Sequence, residues 1–536
     1  MRKVSKILAL VLVAVLVMSV FTACSEEKKT ATKGSYTYWA VPNSSVTQTL
    51  NSYDELLMYQ EMQKRTGIEV KFLHPGKGST GGEAFQILMT STDMPDMIEY
   101  NWESYPGGPD AAIENKVIIS LNDYMKEAAP NYYSYMEGEK AKDNPLYKIQ
   151  TITNAGNYYG FNNLTIGQYR CFAGLVVRKD LLDKWGLEVP VTIDDWTNVL
   201  KTAKENGIAK PLTGQNSLFG IDSEPIFGNA WEVSKEFQVE DDKVVFSVER
   251  PEYKEYIRQM AEWYKAGYID RDYITNESNV VDGNMTNGTS VACFGYIGGF
   301  MGSIIPAMAE RDPNFNIVAC PYPVLKEGQI TKIQSVATDA TEPTIAVTYN
   351  CGKDNEERYK EAMSWCDYLY SDEGIILKSF GVEGETYTVE KDENGNDHYV
   401  YTDTIYDHEK IGAHSVGAAL YHFFRPANSP GFSQHDDYLN GYYPYQQQKD
   451  ALAMWNEHIE ISKKYILPEL TYTDDEAARV NELNSKCRDK LDAEISKIIC
   501  NEKPLSSFDS MVKDAKKNGY DELTKLHQAA YDRTYK

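Results

Sequence analysis

From Tyr36 to Tyr100, after a polar stretch that ends at Gly34, apolar and polar positions fall in a β-α-β-α-β series. Tyr36 to Val41 is an apolar run of strand length. Tyr53 to Arg65 carries its apolar positions at helical spacing and stops at Gly67. Ile68-Glu69-Val70-Lys71-Phe72 alternates as a half-buried strand. Glu83 to Thr90 returns to helical spacing, and Pro95 to Tyr100 closes the series as a third strand. This alternation predicts a parallel α/β sheet, whose ligands bind in the crevice beyond the C-terminal strand ends. Tyr38-Trp39 and Tyr100-Asn101-Trp102 fall at those ends.

Further along, Asn122 to Ala129 reads as a helix and Gly156 to Phe161 as a strand leaving this first unit. Ala173 to Val177 is a short, wholly apolar run, the pattern of a buried strand. Lys179 to Trp185 follows as a helix that Gly186 closes at C′. After Pro190, Thr192 stands as an N-cap with Asp195 three residues on, a capping-box spacing. Thr192 to Glu205 and Pro251 to Ala266 are helices, the second with proline at its first position and Gly267 at its end. Ser290 to Phe294 is a strand running into a turn at Gly295, Gly298 and Gly299. Asn316 to Pro321 and Thr344 to Thr348 are strands, and Glu356 to Tyr370 is an amphipathic helix. Tyr387 to Glu390 and His398 to Tyr401 flank Asp392 to Asp397. That acidic stretch has no Glu at the last calcium-ligand position, so a solvated hairpin turn is the reading adopted. From Asp450 onward the chain is almost wholly helical, interrupted near Pro468 and Pro504.

With 536 residues, the chain exceeds the roughly 250–300 that one core supports, so two or more lobes are expected. Arg2, Lys3 and Lys6 precede an apolar run, Ile7 to Val20, too short to span a membrane comfortably. It ends in Phe21-Thr22-Ala23-Cys24, the pattern of a bacterial lipobox with Phe where Leu is usual. Residues 1–23 are therefore expected to be a lipoprotein signal, Cys24 the acylated first residue, and 24–34 a flexible tether. The alternative is an ordinary cleaved signal with a chance cysteine. Removing residues 1–23 takes three positive and no negative charges from a formal −25, leaving −28. So acidic a surface argues against nucleic acid and anionic polymers as partners. With Cys24 acylated, seven of the eight cysteines remain; none form a C-x-x-C pair, so zinc and redox readings lose their usual support.

Val176 to Trp196, with Arg178-Lys179-Asp180, Asp183-Lys184, Gly186-Leu187, Pro190 and Thr192, resembles a signature of family 1 extracellular solute-binding proteins. These are the ligand-capturing subunits of sugar ABC importers. Asp93-Met94-Pro95-Asp96-Met97 resembles the family's first-lobe element, and Trp263-Tyr264 through Ile269-Asp270 a helix end of its second lobe. Trp365 to Gly374 followed by Phe380 to Tyr387 resembles the large lipoprotein-type branch. Ile498 to Leu505 resembles a tail element in which Asn501 replaces Gly, and asparagine tolerates the positive φ such a turn needs. The resemblance implies an α/β, two-lobed, periplasmic-binding-protein-like (type II) fold with a multi-strand hinge and a helical C-terminal region. The expected division is 35–160 plus about 325–385 as lobe 1, and 161–324 plus about 386–536 as lobe 2, with hinge crossings near 160, 320 and 390. Some members carry an acidic calcium loop in the second lobe. Lys204 to Pro211 lacks those ligands, so no metal is expected, and no cofactor.

The implied activity is capture of an oligosaccharide by a monomer anchored on the extracellular face of the cell membrane through Cys24, and its delivery to ABC permease subunits. No Walker A motif occurs, so transport itself falls to other chains. A sugar presents apolar C–H faces to aromatic rings and hydroxyls to polar side chains, and the chain holds 39 Tyr and 8 Trp. Trp39, Asn101 and Trp102 are candidates at the first lobe's strand ends, Tyr159 and Arg170 at the crossing, and Trp231 and Tyr296 in the second lobe. For each the competing reading is packing, or for Arg170 a surface ion pair. Phe424 and Arg425 could line the cleft. Trp263 and Trp365 sit at core-like helical spacing and are left out. A secreted glycoside hydrolase, with two of the 79 carboxylates flanking a sugar bond, and a binding protein for peptides or acidic sugars stay open as alternatives.

Overall fold

A computed structural model describes residues 34–76, 79–215, 226–391 and 395–536. The signal sequence, Cys24 and nearly all of the tether lie outside the described residues. Thirteen strands are described, and most belong to two sheets. In chain order they are β1 Ser35–Ala40, β2 Glu69–Leu73, β3 Met97–Tyr100, β4 Phe161–Thr165, β5 Ala173–Arg178, β6 Phe237–Glu240, β7 Lys243–Phe246, β8 Ala292–Tyr296, β9 Ile317–Ala319, β10 Ala340–Val347, β11 Tyr387–Lys391, β12 Asp397–Tyr401 and β13 Gly431–Ser433. The first sheet has the order β13-β4-β10-β3-β1-β2, and the second β8-β5-β9.

The β-α-β-α-β series folds as its pattern predicts. β1 pairs in parallel with β2 and β3. Helices Leu57–Thr66 and Gly81–Met89 connect them, and Gly67 closes the first in the left-handed conformation. Two further strands of this sheet, β10 and β13, come from far along the chain. β10 runs antiparallel between β3 and β4, and β13 pairs with the outer edge of β4. The strand expected at Gly156 to Phe161 starts later, at Phe161, because Phe-Asn-Asn-Leu-Thr is a fully buried strand disguised by polar side chains. Its amides are satisfied across the sheet: Asn162 Nδ2 donates to Thr344 Oγ1 (2.8 Å) and Asn163 Nδ2 to Thr341 Oγ1 (2.7 Å).

Sheet membership corrects part of the expected division. β4 and β13, both assigned to the second lobe from sequence, hydrogen-bond into the first sheet. Hairpin β11–β12 also stays with it: Phe380 stacks on Tyr399 at 4.9 Å, and Tyr401 Oη donates to Ser379 O. The chain therefore passes between the sheets at 166–172 and at 320–339, and only after β13, rather than near 390, does it return to the second sheet, where helix Gln446–Asn456 packs against β9. The second unit is built as read: Gly186 is left-handed, Thr192 and Asp195 form a complete capping box, and Gly267 ends the helix Pro251–Ala266. Helix Asp474–Ile499 lies along Pro251–Ala266, and the left-handed Asn501 follows it. The seven described cysteines are unpaired thiols, and Trp263 and Trp365 are buried in the core.

Candidate functional site

The pairings fix which ends of the two sheets the first crossing joins. β1, β2 and β3 end at Ala40, Leu73 and Tyr100. β10 begins at the same end, since Thr344 pairs with Tyr100, and β4 finishes there, since Leu164 pairs with Ala340. Eight residues beyond Thr165, β5 starts at Ala173, opposite Tyr296 at the end of β8. The first crossing therefore joins the end of the first sheet that carries the loops after β1 and β3 and the start of β10 to the end of the second sheet that carries the turn after β8, and these two ends are taken as the candidate rims.

On the first rim, Trp39, Trp102 and Tyr159 come together in one cluster with Phe85, Ile98 and Ala346. Trp102 is fully buried; its indole packs edge-on against Phe85 at 5.4 Å and donates to Ile98 O. Trp39 packs on Phe85 and Tyr100. These rings fill the space between sheet and helix Gly81–Met89, so packing claims the faces a sugar would need. Asn101 is exposed, and its Oδ1 accepts from Glu103 N (3.0 Å), holding the turn Trp102–Ser104.

Both arginines nominated from sequence are consumed inside the protein. Arg170 is buried against Asp339 at 2.9 Å and also donates to the carbonyls of Thr165, Gly167 and Tyr169, so it pins the first crossing. The reading of a surface pair is corrected to a buried one. Arg425 pairs with Glu99 through two bonds (2.7 and 2.6 Å), with Tyr59 Oη as a third partner and the Tyr53 ring 4.4 Å away. Phe424 is likewise fully buried.

On the second rim, Tyr296 is 58% exposed and leans edge-on against Phe294. Trp231 is buried against Tyr256, on the turn Ile226–Trp231 that Asn229 ties to the second crossing through Pro323 O and the amides of Lys332 and Ile333.

Sequence reasoning passed over Glu342. It sits where the β10–β4 register shifts, between Thr341 and Ile345, the kind of irregularity that re-aims a side chain. Tyr159 Oη donates to its Oε1 (2.9 Å), while its Oε2 is buried without a partner. Gly160 permits this approach: a Cβ there would lie 2.5 Å from Ile345 O. Burial pushes the Glu342 carboxyl up to about 7, against the opposing pull of bonds from Thr344 and Tyr159, with Glu103 adding repulsion. Burial, and then Asp110, raises Glu103 as well. The only signal in the sequence was a Glu-Pro pair ahead of an apolar strand.

Comparisons with known proteins agree with this architecture. A family model described as bacterial extracellular solute-binding protein matches residues 43–376. Lipoprotein LipO of Bacillus subtilis is 23% identical over 366 residues, 66% of this chain and 68% of that one. The fructooligosaccharide ABC transporter substrate-binding protein FusA of Streptococcus pneumoniae is 25% identical over 257 residues, only 42% of this chain and 44% of its own. Among solved structures, an extracellular solute-binding protein from Bifidobacterium longum subsp. infantis superposes with a TM-score of 0.69 at 16% identity, covering 94% of this chain and 99% of that one. Alginate-binding protein AlgQ2 gives 0.66 at 17% (94% and 99%), and FusA in complex with kestose 0.66 at 18% (93% and 99%). At these identities the structural matches establish the shared two-lobed fold.

Proposed function

We propose that this chain, which belongs to the bacterial extracellular solute-binding protein family, captures a neutral oligosaccharide between its two lobes and passes it to an ABC importer permease. The observation that carries the neutral-ligand reading is the fate of Arg170 and Arg425. Each is neutralised by a buried carboxylate, so neither is free to pair with a uronic acid, and Glu103 and Glu342 offer it no cation. FusA, by its name a fructooligosaccharide-binding subunit, supports a carbohydrate ligand. Tyr296 is the exposed aromatic platform, with Asn101 and Glu342 as polar partners across the cleft. Lobe 1 comprises 35–165 and 340–433, and lobe 2 comprises 173–319 and 446–536, with the crossings between them as hinge. Closure around the ligand then presents a surface to the permease.

We read the protein as a binder that leaves the sugar intact. Acylation at Cys24 holds it to the membrane, as the lipoprotein name of LipO supports; no described helix is long and apolar enough to cross a membrane. A thermal-shift panel of kestose, nystose, Man5GlcNAc, an alginate oligomer and a peptide mixture tests the ligand class. A neutral sugar at 100 times its Kd should stabilise the protein by about 2.7 kcal/mol. A shift with alginate or peptides alone would sink the reading, and release of reducing ends would point to a hydrolase.

A further inference from the structure

Glu342 is a carboxyl with one oxygen used and one idle. Oε1 takes the Tyr159 hydroxyl and Thr344 also acts on the carboxyl, whereas Oε2 is out of contact with solvent and has no partner at hydrogen-bonding geometry. A buried acceptor left unpaired is costly and uncommon in a native protein, and it invites an explanation. The strand irregularity and Gly160 hold the group near the start of β10, at the end of the sheet from which the first crossing leaves, so a ligand taken between the lobes can bring it a donor.

We propose that Glu342 is the specificity-determining acceptor of the first lobe, taking a ligand hydroxyl on Oε2, so that capture of the sugar expels the carboxyl proton. This rests on the oligosaccharide reading of the cleft. Burial favours the neutral acid in the open protein, while a hydroxyl donor favours the carboxylate. Ligand and proton therefore compete for one group. The proton leaves to solvent, no bond in the ligand changes, and affinity increases with pH.

The groups that act on Glu342 come from three other elements. Tyr159 precedes β4, Glu103 stands in the turn after β3, and Tyr132 lies on the helix Pro130–Met136. Both tyrosines are raised by burial and stay neutral through the physiological range. Among the described residues Glu103 is the carboxyl that acts on Glu342, so the test separates the two.

Calorimetry on the full protein uses the panel sugar with the largest thermal shift, in two buffers of different protonation enthalpy. With the open carboxyl at about 7, about half a proton should leave per ligand at pH 7. Affinity should increase about tenfold from pH 6 to pH 8. Glu342→Gln should abolish both effects and weaken binding, whereas Glu103→Gln should leave proton release in place. Identical apparent enthalpies in the two buffers, with a flat pH profile, would overturn the proposal while leaving sugar binding intact. Release that persists in Glu342→Gln would also overturn it. If no panel sugar binds, the oligosaccharide reading falls and this one with it. A melting curve establishes that the variant is folded; if it is not, the two-buffer comparison on the unaltered protein decides.

Discussion

The two rims of the cleft carry aromatic rings in opposite states. Trp39 and Trp102 on the first rim are buried in a cluster with Phe85, while Tyr296 on the second is mostly exposed at the end of a strand. The difference lies in the segment that each strand runs into. β1 and β3 lead into elements that pack back on the sheet, so their terminal rings are covered. β8 leads into a π-helical turn, Ile297–Met301, whose Ile297, Phe300 and Met301 turn inward while Tyr296 stays outside; an added Cβ on Gly299 would meet nothing within 4 Å. A ring at a strand end therefore stays open only where the bulky side chains of the next segment turn inward, away from it. The first rim offers a polar group in place of a ring.

Substitutions can break this contrast most strongly at the first lobe's buried ties. Arg425→Ala strands the Glu99 carboxylate and should cost about 3–5 kcal/mol in a denaturant titration. Trp102→Ala opens a cavity and should cost about 3–5 kcal/mol. A loss below about 1 kcal/mol for either would mean that the rim is plastic rather than packed.

Next in size is a pair of pH effects of opposite sign, one in each lobe. Glu342 is raised from 4.5 to about 7 on folding, so its stability contribution is complete below 4.5 and lost as pH increases to 7. Burial lowers His527 from 6.5 to about 4, so its contribution is complete above 6.5 and lost as pH falls to 4. Each is worth up to about 3 kcal/mol, and the two nearly cancel. The unaltered protein should show little net slope from this pair between pH 4.5 and 6.5. Glu342→Gln should unmask stability that rises with pH, and His527→Gln stability that falls with it, read from urea midpoints.

The smallest effect on folding belongs to the second rim. Tyr296→Ala should change stability by less than about 0.5 kcal/mol yet weaken sugar binding about tenfold, or ~1.4 kcal/mol. The reverse pattern would make Tyr296 a packing residue like its counterparts.

Legibility in the sequence followed the range of the interaction. Thr192 with Asp195, Gly186, Gly267 and the left-handed Asn501 were readable because each is decided within a few residues. The first three strands were readable for the same reason. β4 was misplaced because its buried asparagines look solvated until Thr341 and Thr344 arrive from 178 and 182 residues away. Arg425 could not be assigned because its partner Glu99 lies 326 residues earlier. Glu342 owes its setting to a register shift between distant strands, which no periodicity encodes.

The placement of β10 and β13 also dictates a timetable. The strand that covers the open edge of β3 is made about 240 residues later, and the last strand of that sheet ends at Ser433. A ribosome that has released β1 to β4 has released a lobe whose edge still offers unpaired amides and carbonyls, the template on which other chains add. The second sheet, gathered between residues 173 and 319, can close well before the first. The sheet that begins nearest the amino terminus is thus the later of the two sheets to be finished. Until then the nascent chain has to be held apart from its neighbours, a need that threading through an export channel as an unfolded strand would meet.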